Sequence, residues 1–216
     1  MGWAYRIISS SIGKKELMAL TGFCFLAFLV VHLGGNLTIY GGAEEFRAYA
    51  YKLHSLEPFL YVFEIGLLGL GIIHVASGAL LFVQNLRARP EKYAVKRNAG
   101  GMTLSSRFMP YTGFIILIFL VVHLSTFTFA DKADVDIAIL VDKAFESPLY
   151  SAFYVFVMAV LFLHVRHGFW SAFQTIGANH PKYMPAIELV GVAAAIVFAL
   201  GYASLPVYVY LKGLTG

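Results

Sequence analysis

Five long apolar stretches alternate with short polar segments along this chain of 216 residues. They cover, approximately, 17–39, 59–83, 108–130, 149–173 and 186–210. Each can supply the roughly 20 helical residues that cross about 30 Å of hydrocarbon. Three prolines lie just before a stretch, where a helix leaves its first N–H groups unpaired anyway: Pro58, Pro148 and Pro185. The pattern predicts an all-α membrane protein, a bundle of five transmembrane helices.

The composition agrees with burial in a bilayer. Hydrophobic residues make up 59% of the chain and charged residues 13%, which is too little polar surface to cover a water-soluble globule. No linker-like segment divides the chain, so we expect one domain over residues 1–216. Cys24 is the only cysteine, which excludes an internal disulfide and the two-cysteine attachment motif of c-type haem.

The basic residues are distributed unequally between the two ends of the predicted bundle. One end carries Arg6, Lys14, Lys15, Arg87, Arg89, Lys92, Lys96, Arg97, Arg107 and Lys182, and the other carries Arg47, Lys52, Lys132, Lys143 and Lys212. The positive-inside rule predicts a multi-pass protein with a cytoplasmic N-terminus and a C-terminus outside. We expect the membrane to be the bacterial inner membrane. Segment 84–107 is then the main cytoplasmic connection and 131–146 an outer loop. Because the charges lie between apolar stretches, we expect no nucleic-acid partner.

The chain contains an internal duplication. Thr21-Gly22-Phe23 and the later Phe28-Leu29-Val30-Val31-His32-Leu33 recur 91 residues on as Thr112-Gly113-Phe114 and Phe119-Leu120-Val121-Val122-His123-Leu124. In the stretches that follow, Pro58, His74-Val75 and Gly78 recur 90 residues on as Pro148, His164-Val165 and Gly168. Residues 17–83 therefore match 108–173 as two-helix units, and each of the first four helices carries a histidine.

Helical rise places these four histidines at two depths. At 1.5 Å per residue, His32 lies roughly 12 Å below the outer surface and His74 roughly 24 Å below it. Matching helices of the two units run in the same direction, so His123 shares the depth of His32 and His164 shares that of His74. The two levels are about 12 Å apart.

Two histidines at one depth on two helices are what a bis-histidine haem requires, because the imidazoles bind opposite faces of one iron. The sequence therefore predicts two b-type haems, an outer one on His32 and His123 and an inner one on His74 and His164. Five glycines lie near these ligands: Gly34, Gly35, Gly71, Gly78 and Gly168. They fit the close approach of a flat macrocycle, and they fit tight helix packing equally well.

One-electron transfer is the chemistry left to an iron whose two axial positions are both filled by protein. Two levels of haem would carry electrons between the faces of the surrounding lipid membrane. The polar segments are too short to house a flavin or iron–sulfur domain, and one cysteine cannot bind a cluster. The chain therefore needs partner subunits.

In these features the chain resembles the cytochrome b membrane anchor of the dihaem, five-helix class of succinate:quinone and quinol:fumarate oxidoreductases. The resemblance covers nearly the whole chain and includes the stretch HGFWSAFQTIG from His167 to Gly177. It implies an iron–sulfur subunit at the cytoplasmic face, a flavoprotein subunit that interconverts succinate and fumarate, and menaquinone as the quinone. The chain alone would not act on succinate or fumarate. Phe162 stands where some fumarate reductases of this class carry a proton-conducting glutamate, so that path is not expected here.

Glu64 is the nearest alternative carboxylate within the membrane. It lies six residues past Pro58, roughly 9 Å below the outer surface. An ionisable group at that depth is costly and is a candidate for function. We expect Glu64 to exchange protons with the quinone beside the outer haem, among three polar neighbours: His54, Asn36 and Tyr40. The alternative is a protonated glutamic acid that is hydrogen-bonded within the bundle.

Arg166 follows His164 toward the cytoplasmic end, where the propionates of the inner haem would emerge. Because arginine pairs with carboxylates through two parallel hydrogen bonds, we expect Arg166 to bind a propionate. The alternative is a topological arginine that extends to the membrane surface.

Two other classes of protein fit part of the pattern. A different dihaem cytochrome b, of the nitrate reductase, formate dehydrogenase or b561 type, shares the four-histidine principle but distributes its ligands differently over the helices. A haem-free transporter would use the histidines to relay protons and would show no Soret absorbance.

Reporter fusions test the predicted topology. Alkaline phosphatase, which is active only outside the cytoplasm, should be inactive when fused within segment 84–107 and active when fused after Lys212, because the basic residues concentrate at the first end. Fusions of a cytoplasmically fluorescent protein at the same two positions provide the control. The reverse pattern at both positions would overturn the orientation.

Overall fold

The computed structural model describes residues 2, 5–6, 9–88, 104–130 and 136–215. Its five long helices are α1 (Ser11–Asn36), α3 (Phe59–Arg87), α4 (Leu104–Phe127), α6 (Pro148–Thr175) and α7 (Met184–Lys212). All five are long and apolar enough to cross a membrane, which confirms the predicted all-α architecture with five spans. The predicted stretches agree with these bounds, except that 108–130 runs three residues past the end of α4.

Several charged residues used for the topology lie outside the described residues: Arg89, Lys92, Lys96, Arg97 and Lys132. The predicted cytoplasmic connection, 84–107, begins and ends in helix. Helix α3 extends to Arg87, and α4 begins at Leu104.

Two short helices occupy segments that the hydropathy pattern left as connections. Helix α2 (Ala43–His54) follows a 3-10 helix over Leu37–Gly41, and α5 (Ile137–Phe145) precedes α6. Both are too short to cross a bilayer, so a hydropathy pattern of about 20 apolar residues does not reveal them. The described part of the predicted outer loop over 131–146 contains α5, in which Ala138, Val141 and Phe145 form one buried face.

Local sequence signals explain where several helices begin. Ser10, Asp136 and Ser147 each accept a hydrogen bond from a backbone N–H in the first turn of α1, α5 and α6. Such side chains satisfy N–H groups that the helix itself leaves unpaired. Pro148 opens α6 and Pro58 immediately precedes α3, as the sequence predicts.

The four histidine-bearing helices form a ring. Helix α1 packs against α3 and α6, and α6 also packs against α4. Helices α3 and α4 approach each other more loosely and close the ring. Helix α1 therefore lies opposite α4, and α3 opposite α6. Neither opposed pair packs closely along its length, which leaves the side chains at the centre of the ring to span the gap.

Helix α7, which has no counterpart in the duplication, covers α6 and part of α1. A small buried cluster forms where the three helices meet: Leu33, Val165, Ala195 and Phe198. Tyr202 strengthens this contact, because its hydroxyl donates a 2.7 Å hydrogen bond to the backbone carbonyl of Leu29 on α1. Helix α7 therefore supports the ring at α6 and α1, with little contact to α3.

A second cluster closes the end of the bundle at which α1 and α4 terminate, which we call the outer end. It joins the 3-10 helix, α2, α5, the start of α6, the last part of α7 and the residue Leu214 beyond it: Ile39, Phe46, Ala138, Val141, Phe145, Tyr154, Leu205, Val209 and Leu214. An ion pair between Arg47 and Asp136 connects α2 to the start of α5. The C-terminal residues are attached here as well, since Asp142 accepts hydrogen bonds from the N–H groups of Leu214 and Thr215 at 2.6 and 2.8 Å.

Replacing Asp142 by alanine should release the C-terminal residues from α5. Hydrogen bonds to a charged group contribute roughly 1.5–3 kcal/mol each, so local opening at Leu214 and Thr215 should become at least tenfold more frequent. Amide hydrogen exchange at these two residues measures it. The neighbouring exposed Lys143→Ala is the control, and equal protection in both variants would contradict the role of Asp142.

Candidate functional site

Four histidines face one another in two pairs across the centre of the ring. The ring centroids of His32 on α1 and His123 on α4 are 6.0 Å apart. Those of His74 on α3 and His164 on α6 are 6.5 Å apart. Each pair joins diagonally opposed helices, and the pairing is the one that helical rise predicts. We keep the terms outer pair for His32 and His123 and inner pair for His74 and His164.

These separations suit a metal ion held between two imidazoles. An imidazole nitrogen binds a metal at about 2.0 Å, and the centre of the ring lies about 1 Å farther away, so two rings on opposite sides of one ion have centroids about 6 Å apart. The planes of the outer pair are 89° apart and those of the inner pair 62° apart, so neither pair is stacked face to face. Both pairs thus leave room for one ion.

The number of protein ligands limits which metal centre fits. Among the described residues no group of three or more histidine, cysteine, aspartate or glutamate side chains is placed to hold an ion. A zinc site takes three or four protein ligands, whereas the porphyrin of a haem fills four positions and leaves two for protein. Isolated pairs of histidines therefore fit haem iron.

The inner pair is held by two threonines of the duplicated motif. The Nδ1 atom of His74 lies 2.9 Å from the hydroxyl of Thr21 on α1, and Nδ1 of His164 lies 3.1 Å from the hydroxyl of Thr112 on α4. The threonine and its histidine sit on adjacent helices in both units, so the duplication extends to this contact. Neither contact is visible from the order of residues along the chain alone.

The direction of these hydrogen bonds follows from the threonines' other contacts. Thr21 donates its hydroxyl proton to the carbonyl of Leu17 at 2.7 Å, and Thr112 has carbonyls of its own helix at 3.0 and 3.2 Å. A hydroxyl has one proton, so its oxygen accepts from the histidine. Each inner histidine therefore carries its proton on Nδ1 and presents an unprotonated Nε2.

The glycine that follows each threonine makes room for the same imidazole. A Cβ atom on Gly22 would lie 3.7 Å from Cε1 of His74, and one on Gly113 would lie 3.5 Å from Cε1 of His164. A larger side chain at either position would enter the space of the ring. The Thr-Gly pair thus both positions the ligand on the next helix and leaves space for it.

A different set of groups holds the outer pair. Nδ1 of His123 lies 3.1 Å from the hydroxyl of Tyr154, which lies 3.0 Å from the hydroxyl of Tyr150. Tyr150 donates to Thr126 at 2.9 Å. Since Tyr150 has given its proton to Thr126, Tyr154 donates to Tyr150 and accepts from His123. His123 therefore also presents an unprotonated Nε2.

His32 is bounded by aromatic rings. Phe28 stacks on it from the preceding turn, with centroids 5.0 Å apart and planes 18° apart, and Tyr202 of α7 lies at 5.9 Å. Phe119 stacks on His123 in the same way, at 5.5 Å and 26°. The repeated phenylalanine thus supports the outer histidine of its own helix, while the repeated threonine supports the inner histidine of the next one.

The residues predicted to surround the quinone are dispersed. Asn36 donates to the carbonyl of His32 at 2.8 Å, Tyr40 donates to Ser204 of α7 at 2.6 Å, and His54 contacts the carbonyl of Ala50 in its own helix at 2.8 Å. Glu64 is exposed on α3. No hydrogen bond among the described residues joins Glu64 to any of the three.

The duplication relates Glu64 to the outer pair in another way. Glu64 and Tyr154 are 90 residues apart, the same offset that relates His74 to His164. Tyr154 bonds to His123, so the duplication aligns Glu64 of the first unit with the residue that contacts the outer histidine in the second. Glu64 has a shorter and ionisable side chain. The outer level is therefore where the two halves differ in chemistry.

At the inner end, Arg166 is exposed on α6 and His167 is buried, with 7% of its surface accessible. The ring of His167 contacts Trp170 edge to face at 4.8 Å. Its Nδ1 atom is buried and has no hydrogen-bond partner in the described part of the chain. The buried polar group beside the inner pair is therefore His167, which the sequence analysis passed over in favour of Arg166.

Four of the five glycines near the histidines lie next to a side chain of another helix. A Cβ on Gly35 would overlap Tyr49 of α2. Gly78 and Gly168 lie opposite Met18 and Met109, which are themselves 91 residues apart, so this contact is duplicated too. Gly71 meets Phe25, whereas Gly34 meets nothing within 4 Å. Helix packing accounts for most of these glycines.

Sequence reasoning missed the roles of Thr21, Thr112 and Tyr154. The recurrence of the two threonines at the duplication offset was a usable signal, because a polar residue repeated inside an apolar helix has a partner in both units. No such signal existed for Tyr154, since its counterpart is Glu64.

No protein-family model, curated protein or solved structure matches this chain. The arrangement of the histidine pairs and the chemistry of their neighbours are therefore what supports a function.

Proposed function

We propose that this chain is the membrane-anchor cytochrome b subunit of a succinate:quinone or quinol:fumarate oxidoreductase. His32 and His123 would hold an outer haem b, and His74 and His164 an inner one. The observation that carries the proposal is the pair of imidazole gaps, 6.0 and 6.5 Å between centroids, on diagonally opposed helices.

The residues present fit this cofactor in three respects. Each gap matches one iron with two axial histidines, and three of the four imidazoles have Nδ1 occupied by a hydroxyl, which leaves Nε2 for a metal. The buried Nδ1 of His167, three residues beyond His164, lacks a partner that a haem propionate would supply. Haem b held by these four histidines would supply reversible one-electron transfer.

The remaining parts of the proposal concern direction and partners. Two levels separated by about 12 Å of helical rise connect the two ends of the bundle. The end with more basic residues would face the cytoplasm of a bacterial cell and bind an iron–sulfur subunit that carries the flavoprotein. Quinone, of the menaquinone type in the class that this chain resembles, would react near the outer pair. Arg166 is exposed at the inner end. It remains the proposed partner of a haem propionate, and the alternative is a topological arginine that extends to the membrane surface.

Replacing single histidines tests the haem assignment. The unaltered complex should contain two b haems per chain, measured as the pyridine haemochrome and by the reduced-minus-oxidised spectrum. His32→Ala and His123→Ala should both lose the outer haem, and His74→Ala and His164→Ala should both lose the inner one, because each pair shares one iron.

His180→Ala is the matched control, since this exposed histidine belongs to neither pair. It should retain both haems. Absence of Soret absorbance in the unaltered complex would favour the haem-free transporter. Loss of spectrally different haems within one pair would contradict the assignment of ligands.

Glu64→Gln tests the proton-transfer role proposed for the outer level. General acid–base groups contribute about 100-fold or more to a rate, so quinone-linked turnover of the whole complex should fall by about two orders of magnitude while both haems are retained. Glu57→Gln, an exposed acidic residue just before α3, is the control. Undiminished turnover in Glu64→Gln with both haems present would exclude the role.

A further inference from the structure

Three hydroxyl groups contact Nδ1 atoms of the paired histidines. Thr21 and Thr112 hold Nδ1 of the inner histidines at 2.9 and 3.1 Å, and Tyr154 holds Nδ1 of His123 at 3.1 Å. All three hydroxyls are on side chains that are at least nine-tenths buried. A buried hydroxyl with fixed partners has one orientation.

We propose that these three hydroxyls are positioning residues that set the reduction potentials of the two haems independently, Thr21 and Thr112 for the inner haem and Tyr154 for the outer one. This inference rests on the proposed function, since it concerns the irons that the histidines would bind. It adds a role for the Thr-Gly motif of the duplication, which ligation alone does not use.

The physical basis is the effect of a hydrogen bond on the far side of the imidazole. When Nδ1–H donates to an oxygen, the ring gains electron density and becomes a more basic ligand at Nε2. A more basic ligand stabilises the oxidised iron relative to the reduced iron and therefore lowers the reduction potential. Second-shell hydrogen bonds of this kind are an established lever on haem potential.

The two levels differ in how many such bonds they receive. Both inner histidines donate to a threonine, whereas in the outer pair His123 donates to Tyr154 and His32 is bounded by Phe28 and Tyr202. The threonine contacts extend from the adjacent helix of the same two-helix unit, and Tyr154 extends from α6 to α4. No hydroxyl is shared between the levels, so each can be removed without touching the other.

The double variant Thr21→Val, Thr112→Val tests the proposal. Valine has nearly the shape of threonine and removes only the hydroxyl, so packing is retained. In a redox titration of the whole complex, followed by haem absorbance, the potential of the inner haem should rise. We expect at least a threefold fall in the ratio of oxidised to reduced inner haem at a fixed potential, with the outer haem unchanged as an internal reference.

Two further variants separate tuning from general disturbance. Thr21→Ser with Thr112→Ser keeps both hydroxyls and should restore the original potential of the inner haem. Tyr154→Phe should raise the potential of the outer haem and leave that of the inner haem unchanged. The bands are assigned to the two levels by the His32→Ala and His74→Ala spectra.

The outcomes distinguish this inference from the proposed function. If the unaltered complex contains no haem, the proposed function fails and this inference fails with it. If two haems are present but the valine double variant leaves both potentials unchanged, or shifts both equally, only this inference is overturned. Should the double variant lack the inner haem, the single variants Thr21→Val and Thr112→Val are titrated and judged by the same criterion.

Discussion

A histidine inside an apolar helix bundle has two ring nitrogens, and each needs a partner because water does not reach it there. Three of the four paired histidines satisfy Nδ1 with a hydroxyl from a neighbouring helix. The rest of the architecture follows from this requirement. The paired imidazoles span the space between opposed helices, with centroids 6.0 and 6.5 Å apart. Helix α3, on one side of that space, buries only Ser77 and Leu81.

The duplication supplies the same contacts twice and then departs from itself at one level. Thr21 and Thr112, Gly22 and Gly113, and Phe28 and Phe119 make equivalent contacts in both units. At the outer level, Tyr154 of the second unit corresponds to Glu64 of the first. Tyr202 of α7, which has no duplicate, lies beside His32. The inner level is therefore symmetric in its contacts, whereas the outer level is asymmetric and corresponds to an exposed carboxylate in the first unit.

Much of this architecture follows from the sequence by itself. Apolar stretches of more than 20 residues have one stable form in hydrocarbon, the helix, because every backbone N–H and C=O must be paired within the segment. The fixed rise of that helix converts residue number into depth, so the pairing of His32 with His123 and of His74 with His164 follows from counting. The duplication offset reinforced both inferences without any knowledge of the contacts between helices.

Only the tertiary structure shows which group contacts the Nδ1 atom of a paired histidine. The partner of His74 is 53 residues away on another helix, and that of His123 is a tyrosine whose duplicate is a glutamate. Similarly, α2 and α5 are amphipathic helices too short for the hydropathy pattern, and they are stabilised by packing on the outer end of the bundle. His167 rather than Arg166 is buried beside the inner pair. Depth along a helix is a property of the chain, but the direction in which a side chain points between helices depends on how those helices rotate and pack against one another.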